Sequence, residues 1–289
     1  MYTSPSRPLS IEKLRSTTYR PDEGWSANDA LYGLATLLLC VLFTQSVWTL
    51  VIRPHAAAVL QQVVVVTSAD KVQHAVHQLR SIFVILKDYE QQASITLTLW
   101  SFLLLIRQGQ AVRRSRELLA RDFLQLDDDR VVLPEDARLV SRPIDALPAG
   151  ERDQFLPRLL GIALNRFGAT RSVQDAADSV RDECEFEVSS YDAKLSMVRF
   201  TAWAIPAVGF VGTVRGIGAA LQEAQGAMGG DISGVTLGLG VTFNSTLTAL
   251  VCCILVMFCL HQLQQAQDRI VLDSRTYVER RLLRRMRVM

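Results

Sequence analysis

From Leu31 to Ile52 the chain contains no Asp, Glu, Lys or Arg. A helix of about 22 such residues is long enough to cover the roughly 30 Å hydrocarbon core of a bilayer. About thirty mostly polar residues come first, and the run is too long for the apolar region of a secretory signal, so Ala56, Ala57 and Ala58 after it mimic a cleavage site rather than form one. A second uncharged stretch, Ile232 to Leu260, exceeds a straight crossing and has to tilt or protrude. The 49% hydrophobic content is concentrated in such blocks, which points to a membrane protein.

Two further spans complete the pattern. Phe200 to Leu221 is apolar apart from Arg215, and Gly226, Gly229, Gly230 and Asp231 then turn the chain into the last span, so these two form a helical hairpin. Ala93 to Ile106 falls short of a crossing unless its helix starts near Tyr89 and Glu90. Charge parity decides for it. Arg7, Lys13, Arg15 and Arg20, then Arg107, Arg113, Arg114, Arg116 and Arg121, then Arg280, Arg281, Arg284 and Arg285 all belong on the cytoplasmic side, which requires an even number of crossings between them.

The predicted architecture is all-α and polytopic. Spans lie at 31–52, 90–107, 200–224 and 232–262, with a cytoplasmic N-terminal segment over 1–30 and a partly helical external connection over 53–89. A helical cytoplasmic domain covers 108–199, a short external turn 225–231, and a basic cytoplasmic tail 263–289. Ala111 to Leu126 reads as helix, a looser stretch holds Pro134, Pro143 and Pro148, and from Arg171 a helix runs straight into the third span. The arginines of the tail suit a solvated helix, or anionic headgroups or a protein partner.

Other features point to less. A net charge of +2 gives no reason to expect nucleic acid. Cys40, Cys252, Cys253 and Cys259 lie in apolar runs and Cys184 in a charged one, which reads as small buried side chains rather than metal ligands. Asp70, His74 and His77 share a face if their segment is helical, yet no fourth ligand is evident. Asp127, Asp128 and Asp129 lack the spacing and glycine of a calcium loop. No nucleophile, base and acid set and no phosphate loop is visible, so we expect no enzyme, no cofactor and no metal.

The hairpin is the specific part. Gly209, Gly212 and Gly216 mark one face of the third span, and Gly234 and Gly238 the start of the fourth, so backbones can approach closely there. Thr242, Thr246 and Ala249 share a face of the fourth span, and Thr213 lies beside the glycines of the third. Hydroxyls in hydrocarbon are costly unless paired or hydrated. They either line a narrow hydrated path or simply bond to carbonyls one turn back.

Ile205 to Ile217, IPAVGFVGTVRGI, resembles the proline, glycine and Gly-Thr-Val signature of the penultimate span in the MotA/TolQ/ExbB family, and Ile232 to Cys252, ISGVTLGLGVTFNSTLTALVC, is similar to that family's last span. The resemblance covers the final third of the chain in detail. It implies a homo-pentamer surrounding a dimer of a single-span MotB/TolR/ExbD-like partner, in the bacterial inner membrane, driven by an ion gradient of H+ in preference to Na+. It also implies that the partner's membrane aspartate carries the proton, that Thr213 and Thr242 face the pore, and that Pro206 sits near the cytoplasmic end of the third span.

Two positions depart from the pattern. Arg215 stands where many relatives have an apolar or aromatic residue; it either pairs with an acid and gates the path, repels cations, or snorkels to the outer interface. Asn244 stands in a stretch where some relatives carry an acid, and an amide can bind a neighbouring helix without titrating. The function expected is a channel or stator subunit; its rival is a non-conducting pentameric scaffold or signalling anchor, defence systems included.

Overall fold

The computed structural model describes residues 27–66, 85–121, 123–124, 131–226 and 233–288. The histidine segment around Asp70, the three aspartates at 127–129 and the part of the predicted 225–231 turn beyond Gly226 lie outside them; residues 225–226 still belong to a helix. Helix α1 (Ala27–Val47) passes through one widened π turn (Trp48–Ile52) into α2 (Arg53–Val66). There follow α3 (Tyr89–Leu119), α4 (Ala137–Asp145), α5 (Ala149–Arg152), α6 (Phe155–Thr170), α7 (Val173–Gly226), α8 (Ser233–Arg281) and a final 3₁₀ turn (Leu283–Arg285). No strand occurs among the described residues, where a lone bridge joins Val132 to Met286. The fold is all-α. Among the described residues, four stretches are long and apolar enough to cross a membrane: Ala30–Val59, Tyr89–Leu119, Val173–Gln222 and Thr242–Arg285.

Two helices organise everything else. α7 runs unbroken for 54 residues and α8 for 49, so each serves both as a membrane span and as a strut of the charged half of the molecule. Ser172 starts α7 by accepting the backbone N–H of Asp175 at 3.2 Å, an N-cap that satisfies one of the free donors of the first turn. Just before it, Arg171 ends α6 in the left-handed region at φ 56°, donating its N–H to Phe167 O.

In the charged half, α6 buries Phe155, Leu156, Leu159, Leu160, Ala163, Leu164 and Phe167 in one core with Ala176 and Val180 of α7 and Val278 of α8. Arg158 crosses to α7, where it meets Glu183 at 2.9 Å and also Glu187. Burial, and then Glu187 beside it, push the Tyr191 hydroxyl above the usual range. The C-terminal segment is clipped on by two backbone bonds, Val132 N–H to Arg285 O and Arg287 N–H to Val132 O, and Leu282 and Met286 enter the core.

Two local expectations shift. α3 stops at Leu119 rather than continuing to Leu126, because Phe123 and Leu124 fold back into the core. The proline-containing stretch is tighter than its composition implies: Pro143 lies inside α4, whose Ala137, Val140 and Ile144 are buried, while Leu139 one turn before the proline is exposed. Proline strips a hydrogen bond from the carbonyl four residues back, and on an exposed side water replaces it.

α3 is the least apolar span by composition, and several of its polar residues pair with neighbouring helices. Toward α1, Thr96 bonds to Thr44 at 2.8 Å and Gln92 to Gln45 at 2.6 Å, while Trp100 Nε1 donates to Gly33 O at 3.0 Å. Toward α7, Ser101 bonds to Thr201 at 2.6 Å. A hydroxyl or amide turned to a neighbouring helix keeps its partner away from lipid, so a mean hydropathy of 1.2 suffices for the crossing.

Candidate functional site: the glycine and threonine seam

The third and fourth spans meet along the predicted glycine face. A Cβ added at Gly209 would lie 2.6 Å from Ala249 Cβ, one at Gly212 2.6 Å from Ser245 Oγ, and one at Gly216 2.6 Å from Thr242 Cγ2. Each glycine thus receives one residue of α8, in antiparallel order. Van der Waals packing and interhelical hydrogen bonds hold helices together in lipid, and both strengthen as backbones approach. Gly234 and Gly238 lie in the first turns of α8.

Hydroxyls converge on one carbonyl in this seam. Gly209 O accepts from Thr213 Oγ1 at 3.1 Å, from Thr246 Oγ1 at 3.0 Å and, more weakly, from Ser245 Oγ at 3.4 Å. Thr213 and Thr246 also bond to each other at 2.7 Å. Thr213 does bond one turn back, and it also joins a network between helices. Thr242 and Ser245 are buried, whereas Thr213 and Thr246 are only half-buried, so the pair reaches the surface of the protomer.

Pro206 has a partner effect that spacing alone did not reveal. Its missing N–H deprives Ala202 O of the normal helical donor, and Cys253 Sγ of α8 approaches that carbonyl at 3.2 Å. A thiol is a weak donor, but in hydrocarbon the alternative is none.

Arg215 finds its acid within the same chain. Its Nε lies 2.6 Å from Glu90 Oε1 and its Nη2 2.8 Å from Glu90 Oε2, a two-point pair with the first turn of α3. The Glu90 side chain is 11% exposed and that of Arg215 58%. Gly212 makes the space, since a Cβ there would sit 3.0 Å from Glu90 Cγ. Sequence reading offered one signal: within the four predicted spans the only carboxylates are Glu90 and Glu223, and Glu90 opens the second span at the end where Arg215 nears the close of the third. Asn244 is half-buried and lies about 200° around α8 from Thr242, away from the Thr213–Thr246 pair; its carbonyl accepts Thr248 Oγ1 at 2.8 Å.

Four apolar helices, two of them sealed by glycines and cross-linked by hydroxyls, define a polytopic all-α membrane protein with a polar seam between its last spans. Residues 151–276 match the MotA/TolQ/ExbB proton channel family, and the chain carries a domain of that family. The match takes in α6, α7 and most of α8, the seam included, and leaves α1 to α3 outside. Among curated proteins none matches this chain.

Proposed function

We propose that the chain is the large subunit of an ion-driven motor, a homo-pentamer around a dimer of a single-span MotB/TolR/ExbD-like partner in the bacterial inner membrane, with both of its ends cytoplasmic. Proton flow, in preference to sodium, turns the pentamer around the partner and passes force to another assembly. The observation that carries this reading is the Thr213–Thr246 pair: two hydroxyls at the protomer surface, on a glycine-sealed seam, in a domain of a proton channel family. Such hydroxyls can hand a proton along or hydrate it without holding it.

The carrier then belongs to the partner. Glu90, which opens the second span, is already matched by Arg215, so using it would mean breaking an ion pair in a poorly solvated place. Thr242 and Thr246 line the path on the fourth span and Thr213 on the third, Arg215 marks its margin, and Asn244, on the other side of α8, faces away from it. Gly209, Gly212, Gly216, Gly234, Gly238 and Pro206 set the packing.

Native mass spectrometry of the complex, alone and co-expressed with a candidate single-span partner, tests the assembly: five copies that gain two of the partner support it, and a monomer or dimer in both samples overturns it. Proton flux into proteoliposomes then tests the path, with the expectation that Thr213→Val with Thr246→Val reduces it at least tenfold. The Arg215–Glu90 pair favours a second reading, a non-conducting scaffold in which Arg215 closes the path; there, Arg215→Ala opens a leak in a wild-type protein that conducts nothing.

A further inference from the structure

Next to Glu90, two further polar residues open α3. Gln91 and Ser94 are both fully buried, each at 0% exposure. Neither end of the Gln91 amide has a hydrogen-bond partner among the described residues, and neither has the Ser94 hydroxyl. Their neighbours on the same helix are answered: Gln92 and Thr96 by α1, Ser101 by α7, and Glu90 by Arg215. A hidden amide without partners is among the most costly groups in a fold, and a membrane span has no bulk water to relieve it.

Helical spacing and packing fix where these groups lie. Ser94 shares the side of α3 that carries Glu90 and Ser101, both of which bond to α7. Gln91 lies on the adjacent flank, turned away from Gln92, Thr96 and Trp100, which reach α1. α3 packs against α8 as well as α7. One glycine marks the level at which the three helices converge: a Cβ at Gly212 would lie 2.9 Å from Ser245 Cβ of α8 and 3.0 Å from Glu90 Cγ of α3. Gly209, Gly212, Ser245 and Ala249 contribute little side-chain volume at this junction, and a water molecule takes up only about 30 Å³.

We propose that Gln91 and Ser94 hold buried water at the junction of α3, α7 and α8, beside the Arg215–Glu90 pair. Burial within one protomer excludes a neighbouring chain or a lipid headgroup as the occupant, since neither reaches atoms that have no exposed surface. The amide itself excludes a metal cation: Oε1 accepts and Nε2 donates, so a cation would satisfy the first and be faced by the second. Water does both. With about three hydrogen bonds per buried molecule, a small cluster satisfies Gln91 Oε1, Gln91 Nε2 and Ser94 Oγ together. The Glu90 carboxylate is next to this cluster, so the water solvates the buried member of the ion pair and steadies the first turn of α3 against α7. The inference needs no ion flow and stands apart from the motor reading.

The test is a structure of the full-length protein in lipid nanodiscs, solved by cryo-electron microscopy at a resolution that shows ordered water. We expect a water peak about 2.7–3.2 Å from Gln91 and from Ser94. A site without a peak overturns the proposal, as does a Gln91 amide bonded directly to Glu90, to a backbone group or to another side chain. Stability supplies a second measurement, the folding equilibrium constant from a denaturant titration of the same protein. Gln91→Met, which keeps the length of the side chain, should lower that constant at least tenfold, because the water loses its anchor and Glu90 its solvation. An amide with no partner of any kind predicts the opposite sign, since an apolar replacement then removes a cost, so an unchanged or raised constant overturns the proposal. Ser94→Ala should lower the constant less than Gln91→Met does, and the double variant should lower it by less than the product of the two, because both side chains hold the same water. A full product means separate partners and also overturns it. If Gln91→Met does not fold, the wild-type water peak decides.

Discussion

α7 and α8 pack against each other at both ends of the molecule, by different means. In the charged half the contact is made of large apolar side chains, with Leu195, Val180, Val278 and Leu282 at 3% exposure or less, and Phe167 and Leu160 of α6 fill the remaining space. In the membrane half the same helices meet through Gly209, Gly212 and Gly216 against Ala249, Ser245 and Thr242, with hydroxyl bonds across the seam. Water drives the first arrangement, because burying apolar surface is favourable only where the alternative is exposure to water. Lipid offers no such reward, so the second relies on close approach and on polar groups satisfying one another. One pair of helices thus obeys two packing rules, and the rule changes where the solvent changes.

The comparison breaks most completely at the glycines. Gly212→Leu would place a side chain where even a Cβ lies 2.6 Å from Ser245 Oγ and 3.0 Å from Glu90 Cγ, so we expect the seam and the Glu90 contact to be lost together. Size-exclusion in detergent should show no assembled species, whereas Gly161→Ala in α6, where nothing lies within 4 Å of the added Cβ, should elute as wild type. Next comes the apolar core: Phe167→Ala removes a fully buried ring and should cost about 3–5 kcal/mol in a denaturant melt monitored from the charged half.

A smaller effect follows at Arg158. Arg158→Met leaves Glu183 and the largely buried Glu187 without their cation and should cost about 1.5–3 kcal/mol, less if water reaches the carboxylates. Thr213→Val with Thr246→Val sharpens the contrast, because an interhelical hydroxyl bond in lipid is worth about 0.6 kcal/mol on average, so the melt should hardly move while flux falls. If stability falls by as much as it does for Phe167→Ala, the seam is held by hydrogen bonds and the contrast between the two halves is wrong.

The mildest test uses pH. Burial pushes the Cys184 thiol from 9.0 up to about 11, with Arg275 opposing the shift and nearby glutamates adding to it. The folded protein thus holds this proton more tightly than the unfolded chain. That stabilisation is complete below pH 9.0 and is lost as pH rises toward 11. Cys184→Ala should flatten the stability profile over that window, and alkylation of Cys184 should stay slow through pH 9.

Much of the fold was legible before any coordinates, because hydropathy and helical period are properties of consecutive residues. Leu31 to Ile52 and Ile232 to Leu260 declare themselves by charge alone. The weak second span needed the arginine parity argument, since Gln91, Gln92, Ser94, Thr96 and Thr98 lower its hydropathy; all five are buried. The seam was legible as two faces, and Gly209, Gly212 and Gly216 do meet the Thr242–Ala249 face. What escaped were the partners. Glu90 was visible only as a place for a helix to begin, and Cys253 only as a small apolar residue in a span.

By itself the sequence determined how many helices are apolar enough to cross, which of their faces can approach closely, and where hydroxyls must find partners. Those follow from composition at helical spacing, which any nearby set of residues expresses locally. Only the tertiary structure decided that Arg215 is answered by a residue 125 positions away, that a thiol of α8 covers the carbonyl freed by Pro206, and that Gln91 and Ser94 are buried without a partner among the described residues. Each of these depends on the rotation and depth of one helix against another, and that is fixed by the fit of all the side chains between them at once.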